Sequence, residues 1–147
     1  MKKYHILIDM FNNQFMNEAL RMAKIASTED EVPVGAIIVD PVRNRIIAEA
    51  YNLVEKKKDP TAHAEILAIQ TACQVLNSKF LNDLDLYVTL QPCPMCMKAI
   101  EYSRIKRVYF GAYDISISLS NHNFEIYGGI EEERCKALLD NFFKSKR

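Results

Sequence analysis

Two stretches, TAHAEILAIQ and TLQPCPMCMKAI, constrain this chain more than anything else in it. In the first, His63 and Glu65 flank a single alanine; in the second, Cys93 and Cys96 are separated by two residues, with Pro92 and Pro94 on either side of Cys93. Each motif stands where a strand or loop passes into a helix. Cys93 is placed to cap a helix that opens at Pro94, a position where a missing N–H costs nothing. Cys96 lies three residues on and shares its face. A helix N-terminus favours the thiolate, which is the form of cysteine that binds metal. Open α/β sheets gather helix starts at the carboxyl ends of their strands, so both motifs can face one crevice there.

The rest of the chain reads as such a sheet. Residues 12–27 carry Phe15, Ala19, Met22, Ala23 and Ala26 at helical spacing. VPVGAIIVD and IIAEAYN read as strands of an antiparallel hairpin across the Asp40-Pro41 turn. Glu55 to Asp59 reads as a charged loop, and Pro60 as the first turn of a buried helix reaching Leu76. LDLYVTL alternates like a strand, a helix runs from Pro94 to about Ser103, and RVYFGA is a further strand. FEIYGG is a candidate for one more. The C-terminal helix shows an apolar stripe of Cys135, Leu138, Leu139, Phe142 and Phe143, with acidic residues at its start and basic ones at its end. Strands alternating with helices predict a sheet of four to five strands between helical layers.

The chain has 147 residues, the size of a single domain over 1–147. Lys plus Arg and Asp plus Glu number 19 each, so a nucleic-acid partner must use local basic patches. MKKYHILIDM lacks a signal cleavage pattern, and no stretch has the length of a membrane span. The expectation is a cytoplasmic protein in a reducing compartment, where a C-x-x-C pair reads as a metal or redox site.

Taken singly, a histidine at a helix start is usually a cap or a core residue, and a lone C-x-x-C is often redox. Taken together, His63, Cys93 and Cys96 are a ligand set for one Zn²⁺ with a fourth position open, the catalytic arrangement. No second C-x-x-C or paired histidine is present to close a structural site. Glu65 is not needed for coordination and is placed for proton transfer.

The order H-x-E…P-C-x-x-C matches the signature of the zinc nucleobase deaminases. From about Phe15 to Arg147 the chain resembles the bacterial tRNA-specific adenosine deaminases, within the cytidine deaminase-like fold. The stretches that carry this are EVPVGAIIVD, AYN, DPTAHAEILAI, LYVTLQPCPMC, SRIKRVYFGAYD, NH and CKALLDNFFKSKR. The resemblance implies a three-layer α/β/α fold with a mixed sheet. It also implies one Zn²⁺ per chain, a homodimer, and conversion of adenosine to inosine at the wobble position of a tRNA anticodon loop.

Carried over by residue, His63, Cys93 and Cys96 bind zinc and Glu65 shuttles protons from water to the ring nitrogen and the leaving ammonia. Asn52 hydrogen-bonds the flipped nucleotide, while Val32, Pro33 and Val34 line the base pocket. The plainer readings are a turn-forming asparagine and three core residues. Basic candidates for phosphate contact are Lys56–Lys58, Arg104, Lys106, Arg107, Lys144, Lys146 and Arg147. PCPMC also fits deaminases of free guanine or cytosine, and a non-catalytic zinc-containing RNA-binding subunit is the rival from another class.

Two departures stand out. Gln91 occupies a position where the family usually has Glu, and is read as supporting rather than catalytic. Only ISISLS separates Asp114 from Asn121, where the family carries a longer loop. That spacing predicts a last strand that is antiparallel or absent, or a lost segment. Residues 1–10 have no family counterpart and read as an extension outside the core; initiation at Met10 or Met16 is compatible with the sequence.

Overall fold

The computed structural model describes residues 2–118 and 121–146, with side chains from Gln14 onward. The side chains of the 1–10 segment, Leu119, Ser120 and the basic candidate Arg147 lie outside the described residues. Five strands form one mixed sheet in the order β2-β1-β3-β4-β5. They are β1 (Gly35–Asp40), β2 (Arg45–Tyr51), β3 (Asp85–Leu90), β4 (Arg107–Ala112) and β5 (Glu125–Tyr127). β1 is antiparallel to both β2 and β3, whereas β3, β4 and β5 run parallel. Helices α1 (Lys2–Thr28) and α5 (Glu132–Ser145) cover one face, with α1 over β1 and β3 and α5 over β4. Helix α3 (Ala64–Leu76) covers β2 and β1 on the other face and packs against α4 (Pro94–Ser103). This is the three-layer architecture expected from the sequence.

The apolar stripe of α1 buries Met16, Ala19, Leu20, Ala23 and Ala26 against the sheet. Its small residues let β1 approach so closely that a Cβ on Gly35 would sit 2.0 Å from the Ala19 carbonyl oxygen. That contact fixes Val34 and its neighbours at one end of the sheet, next to the site described below.

Five local expectations are corrected. Glu55–Asp59 is not simply a loop, because Val54–Lys57 forms a one-turn helix, α2. The carboxylate that caps it, Glu31, is 24 and 25 residues away and invisible to local reading. Pro60 does not open α3, which starts at Ala64 with His63 as its N-cap. Asp59 instead accepts hydrogen bonds from the Thr61 N–H (2.8 Å) and hydroxyl (2.7 Å), an Asx turn that competes with the helix.

β3 alternates in sequence yet is buried on both faces. Its polar residues are used: Asp85 pairs with Arg107, Thr89 accepts the Gly35 N–H, and Tyr87 stacks on Tyr109. Phe143 departs from the buried stripe of α5 and is 48% exposed. Finally, β5 exists and is parallel to β4. The connection spans residues 113–124, not only ISISLS, and a dozen residues reach back along a strand this short.

Candidate metal centre and cavity

His63 and Cys93 are the N-caps of α3 and α4, and Pro94 stands in the first turn of α4. Both caps are in extended backbone conformation, the usual state of a residue about to enter a helix. β2 leads through α2 to the first cap and β3 leads directly to the second. The two helix starts therefore meet at one end of the sheet.

His63 Nδ1 lies 3.6 Å from Cys93 Sγ and 3.6 Å from Cys96 Sγ. All three donor atoms fall within 4.8 Å of one another. Zinc–sulfur bonds of about 2.3 Å and zinc–nitrogen bonds of about 2.0–2.1 Å, at tetrahedral angles, put nitrogen and sulfur about 3.6 Å apart. The donor set and its spacing fit a zinc ion with three protein ligands. All four cysteines are free, so the C-x-x-C pair is not a disulfide.

The electrostatics favour a thiolate. The Cys96 thiol donates to Cys93, and N–H groups of Cys96 and Met95 add to its effect, pulling Cys93 down to about 5 against the cost of burial. Cys96, as the donor in that contact and itself buried beside Glu65, is pushed up. Metal binding requires both thiols as thiolates, so its affinity depends on pH.

Glu65 is 4% exposed in the first turn of α3. Burial pushes its carboxyl up to about 7, against the lowering pull of its own backbone N–H and of His63. A carboxyl group poised near neutrality suits proton transfer in either direction.

His63, Glu65 and Cys93 line one cavity of about 350 Å³. Val32, Val34 and Asn52 line it too. Pro33 does not, which corrects its assignment to the pocket wall; the peptide alternates Val32 and Val34 toward the cavity. The remaining wall comprises Val54, Glu55, Ala64, Leu90, Gln91, Asp114 and Ile117. Sequence reasoning did not place Val54, Glu55, Leu90, Asp114 or Ile117 there. Asp114 lay within a quoted motif, but Val54 and Ile117 carry no local signal.

Gln91 is buried, and its Oε1 accepts the Asp114 N–H at 2.9 Å. Asp114 in turn accepts from the Ser116 N–H and hydroxyl. Gln91 thus ties the short 114–117 turn against the cavity, the supporting role read from sequence.

The basic candidates divide. Lys56–Lys58 follow directly on the cavity wall at Glu55, and Lys146 pairs with Asp30, one residue before Glu31. Arg104, Lys106 and Arg107 stand at the opposite end of the sheet, before or at the start of β4. A six-residue strand at about 3.3 Å per residue separates them from the cavity by about 17–20 Å. There Arg107 pairs with Asp85 at 3.0 Å and Arg104 lies 3.9 Å over the Phe80 ring. These three residues are therefore candidates for phosphates distant from the cavity, not for those beside it.

Comparison with known proteins places this geometry. Residues 10–112 match the family described as the cytidine and deoxycytidylate deaminase zinc-binding region. A tRNA-specific adenosine deaminase of Aquifex aeolicus is 54% identical over 151 aligned positions, covering 94% of this chain and 97% of the relative. One from Rickettsia bellii is 44% identical, covering 90% of this chain and 99% of the relative. A solved structure from studies of A-to-I editing by tRNA:A34 deaminases superposes with a TM-score of 0.79 at 39% identity, covering 86% of this chain and 99% of the other.

Proposed function

The chain belongs to the zinc-binding cytidine and deoxycytidylate deaminase family, and from that premise we propose that it deaminates adenosine to inosine at the wobble position of a tRNA anticodon loop. The observation that carries the reading is one cavity holding a buried carboxyl, two donors of a three-ligand metal set and an asparagine. The relatives that share nearly the full chain are named tRNA-specific adenosine deaminases, and the similar solved structure comes from studies of A-to-I editing at the wobble position.

The overall change is addition of water at C6 of adenine and loss of ammonia. His63, Cys93 and Cys96 are the residues that would hold the zinc ion. When bound, zinc lowers the pKa of water enough to make a nucleophile at neutral pH. Glu65 accepts a proton from the attacking water and delivers it to the ring nitrogen, then takes the remaining proton of the added hydroxyl and gives it to the amino group, which departs as ammonia. Val32 and Val34 hold the base by apolar contact, and Asn52 orients the nucleotide. A base in a loop must be splayed out to enter such a pocket.

No helix among the described residues is long and apolar enough to cross a membrane. We place the enzyme in the cytoplasm as a homodimer. Exposed Val75 and Leu76 on α3 and Tyr102 on α4, two helices of the same layer, support a self-association surface. Sedimentation at a monomer's mass would remove the dimer from the reading.

The deciding experiment incubates zinc-loaded protein with a tRNA carrying adenosine at position 34 and sequences for inosine. Conversion is expected, and its absence overturns the proposal. Ammonia release from free guanine or cytosine without tRNA conversion would favour the rival enzyme.

A further inference from the structure

Strands β1 and β3 stop pairing just before they reach the cavity: the last pair of their ladder on this side is Ala36 with Val88. Beyond it the Gly35 N–H donates to the hydroxyl oxygen of Thr89 at 3.1 Å, a side chain standing in for the ladder. Thr89 is 1% exposed, so the contact is shielded from solvent. The other side of the same peptide is held as well. The Val34 carbonyl accepts the Asn52 N–H at 3.1 Å, where the chain leaves β2. One peptide group, Val34–Gly35, therefore joins the end of β3 to the residue that follows β2. Hydrogen bonds linked through one group polarise and strengthen each other.

The residues joined in this way are cavity wall. Val34 and Asn52 line the cavity from β1 and β2. Leu90 and Gln91, which follow Thr89 directly, line it from the end of β3. The β3 side is anchored separately, because the Gln91 N–H donates to the Ala112 carbonyl at the end of β4, 2.9 Å. Gly35 lies against the backbone of α1, where a Cβ would stand 2.6 Å from the Ala23 nitrogen. At this level the two sides of the wall are tied by the Thr89 hydroxyl. Without that acceptor the Gly35 N–H is buried and unpaired, and the strands gain by moving apart until it is satisfied.

We propose that Thr89 is a positioning residue for substrate binding: its hydroxyl, through the Val34–Gly35 peptide, holds Val34 and Asn52 at the distance from Leu90 and Gln91 that admits one base. The inference rests on the reading of this cavity as the base site and adds to it what sets the width of that site. Glu65 and the three metal-ligand donors stand at the starts of α3 and α4, not on this clamp. The effect therefore falls on binding, and on KM more than on kcat.

The test uses zinc-loaded protein and an anticodon stem-loop RNA with adenosine at position 34, measuring equilibrium binding, turnover and zinc content. Thr89→Val keeps the shape of the side chain and removes the acceptor. It is expected to raise Kd and KM about five- to tenfold, with kcat within about twofold of the parent and zinc unchanged. Thr89→Ser keeps the hydroxyl and should bring both constants back to within about twofold of the parent. A purely structural contact would lower the melting temperature of Thr89→Val and leave Kd and KM per folded molecule at parental values, and that result overturns the proposal. So does a fall in kcat without a change in KM, a loss of zinc, or a Thr89→Ser variant as weak as Thr89→Val. If Thr89→Val does not fold, Thr89→Cys decides, because its sulfur accepts only weakly; parental Kd and KM there overturn the idea. Parent protein that binds the stem-loop but yields no inosine sinks the proposed reaction, and this inference then stands or falls on Kd. Parent protein that neither binds nor converts the RNA overturns both.

Discussion

The two ends of the sheet use charge in opposite ways. At the end where β1 begins and β3 and β4 finish, buried polar groups surround a cavity: Glu65, Gln91 and Asn52 all line it. At the other end, charge is consumed in pairs: Arg107 with Asp85, Arg43 with Asp40, and Arg104 on the Phe80 ring. Both ends are built from loops, caps and left-handed residues, so local structure does not separate them. The difference is that at one end two helix starts bring metal-ligand donors and a buried carboxyl to one cavity, whereas the cavity at the other end, lined by Arg104, Lys106 and Glu125, gathers no such set among the described residues. Substitutions at the first end should change chemistry, and those at the second should change stability.

The largest effect is expected at Glu65. Glu65→Gln should lower kcat by about 10²–10⁴-fold while zinc content and melting temperature stay near the parent's, because the lost function is proton transfer. His63→Ala should lose activity together with stoichiometric zinc, measured by metal analysis. Activity without zinc would break the assignment of this end.

Arg107→Met tests the far end. It leaves Asp85 buried and unpaired, costing about 2 kcal/mol in denaturant unfolding with kcat/KM unchanged per folded molecule. Burial already raises the Asp85 pKa against the lowering effect of Arg107, and removing Arg107 raises it further. A folded pKa above the unfolded one makes the cost full above the folded pKa and absent below about 3.9, the ordinary aspartate value. The variant's instability should therefore fade as pH falls through that window.

Gln91→Leu sharpens the contrast. It removes the acceptor for the Asp114 N–H and loosens the 114–117 wall, so kcat/KM should fall about tenfold with a stability loss of about 1 kcal/mol. Arg104→Ala should have the smallest effect: a stability loss of about 0.5–1 kcal/mol from the lost ring contact, and no change in KM for tRNA. A rise in that KM would mean that the far end also meets substrate.

Much of this molecule was legible before its structure. Spaced apolar residues placed α1, β3 and α5, apolar and β-branched runs placed β1, β2 and β4, and Pro94 placed the start of α4. The metal set was legible because three residues of two rare types, one histidine and two cysteines, stood at helix starts. What was not legible came from contacts distant in sequence. Glu31 capping α2, the Asx turn that delays α3, and the seating of Ile117 in the cavity wall leave no periodic trace. The parallel β5 was misjudged because the whole 113–124 connection, not its central six residues, sets the reach.

The sequence alone determined the ligands, the carboxyl beside them and the layered sheet, since side-chain chemistry and burial periodicity are written residue by residue. Only the tertiary structure decided which valines face the cavity and which arginines are paired at the far end of the sheet. A side chain's role depends on what stands opposite it, and that partner is supplied by packing from another part of the chain.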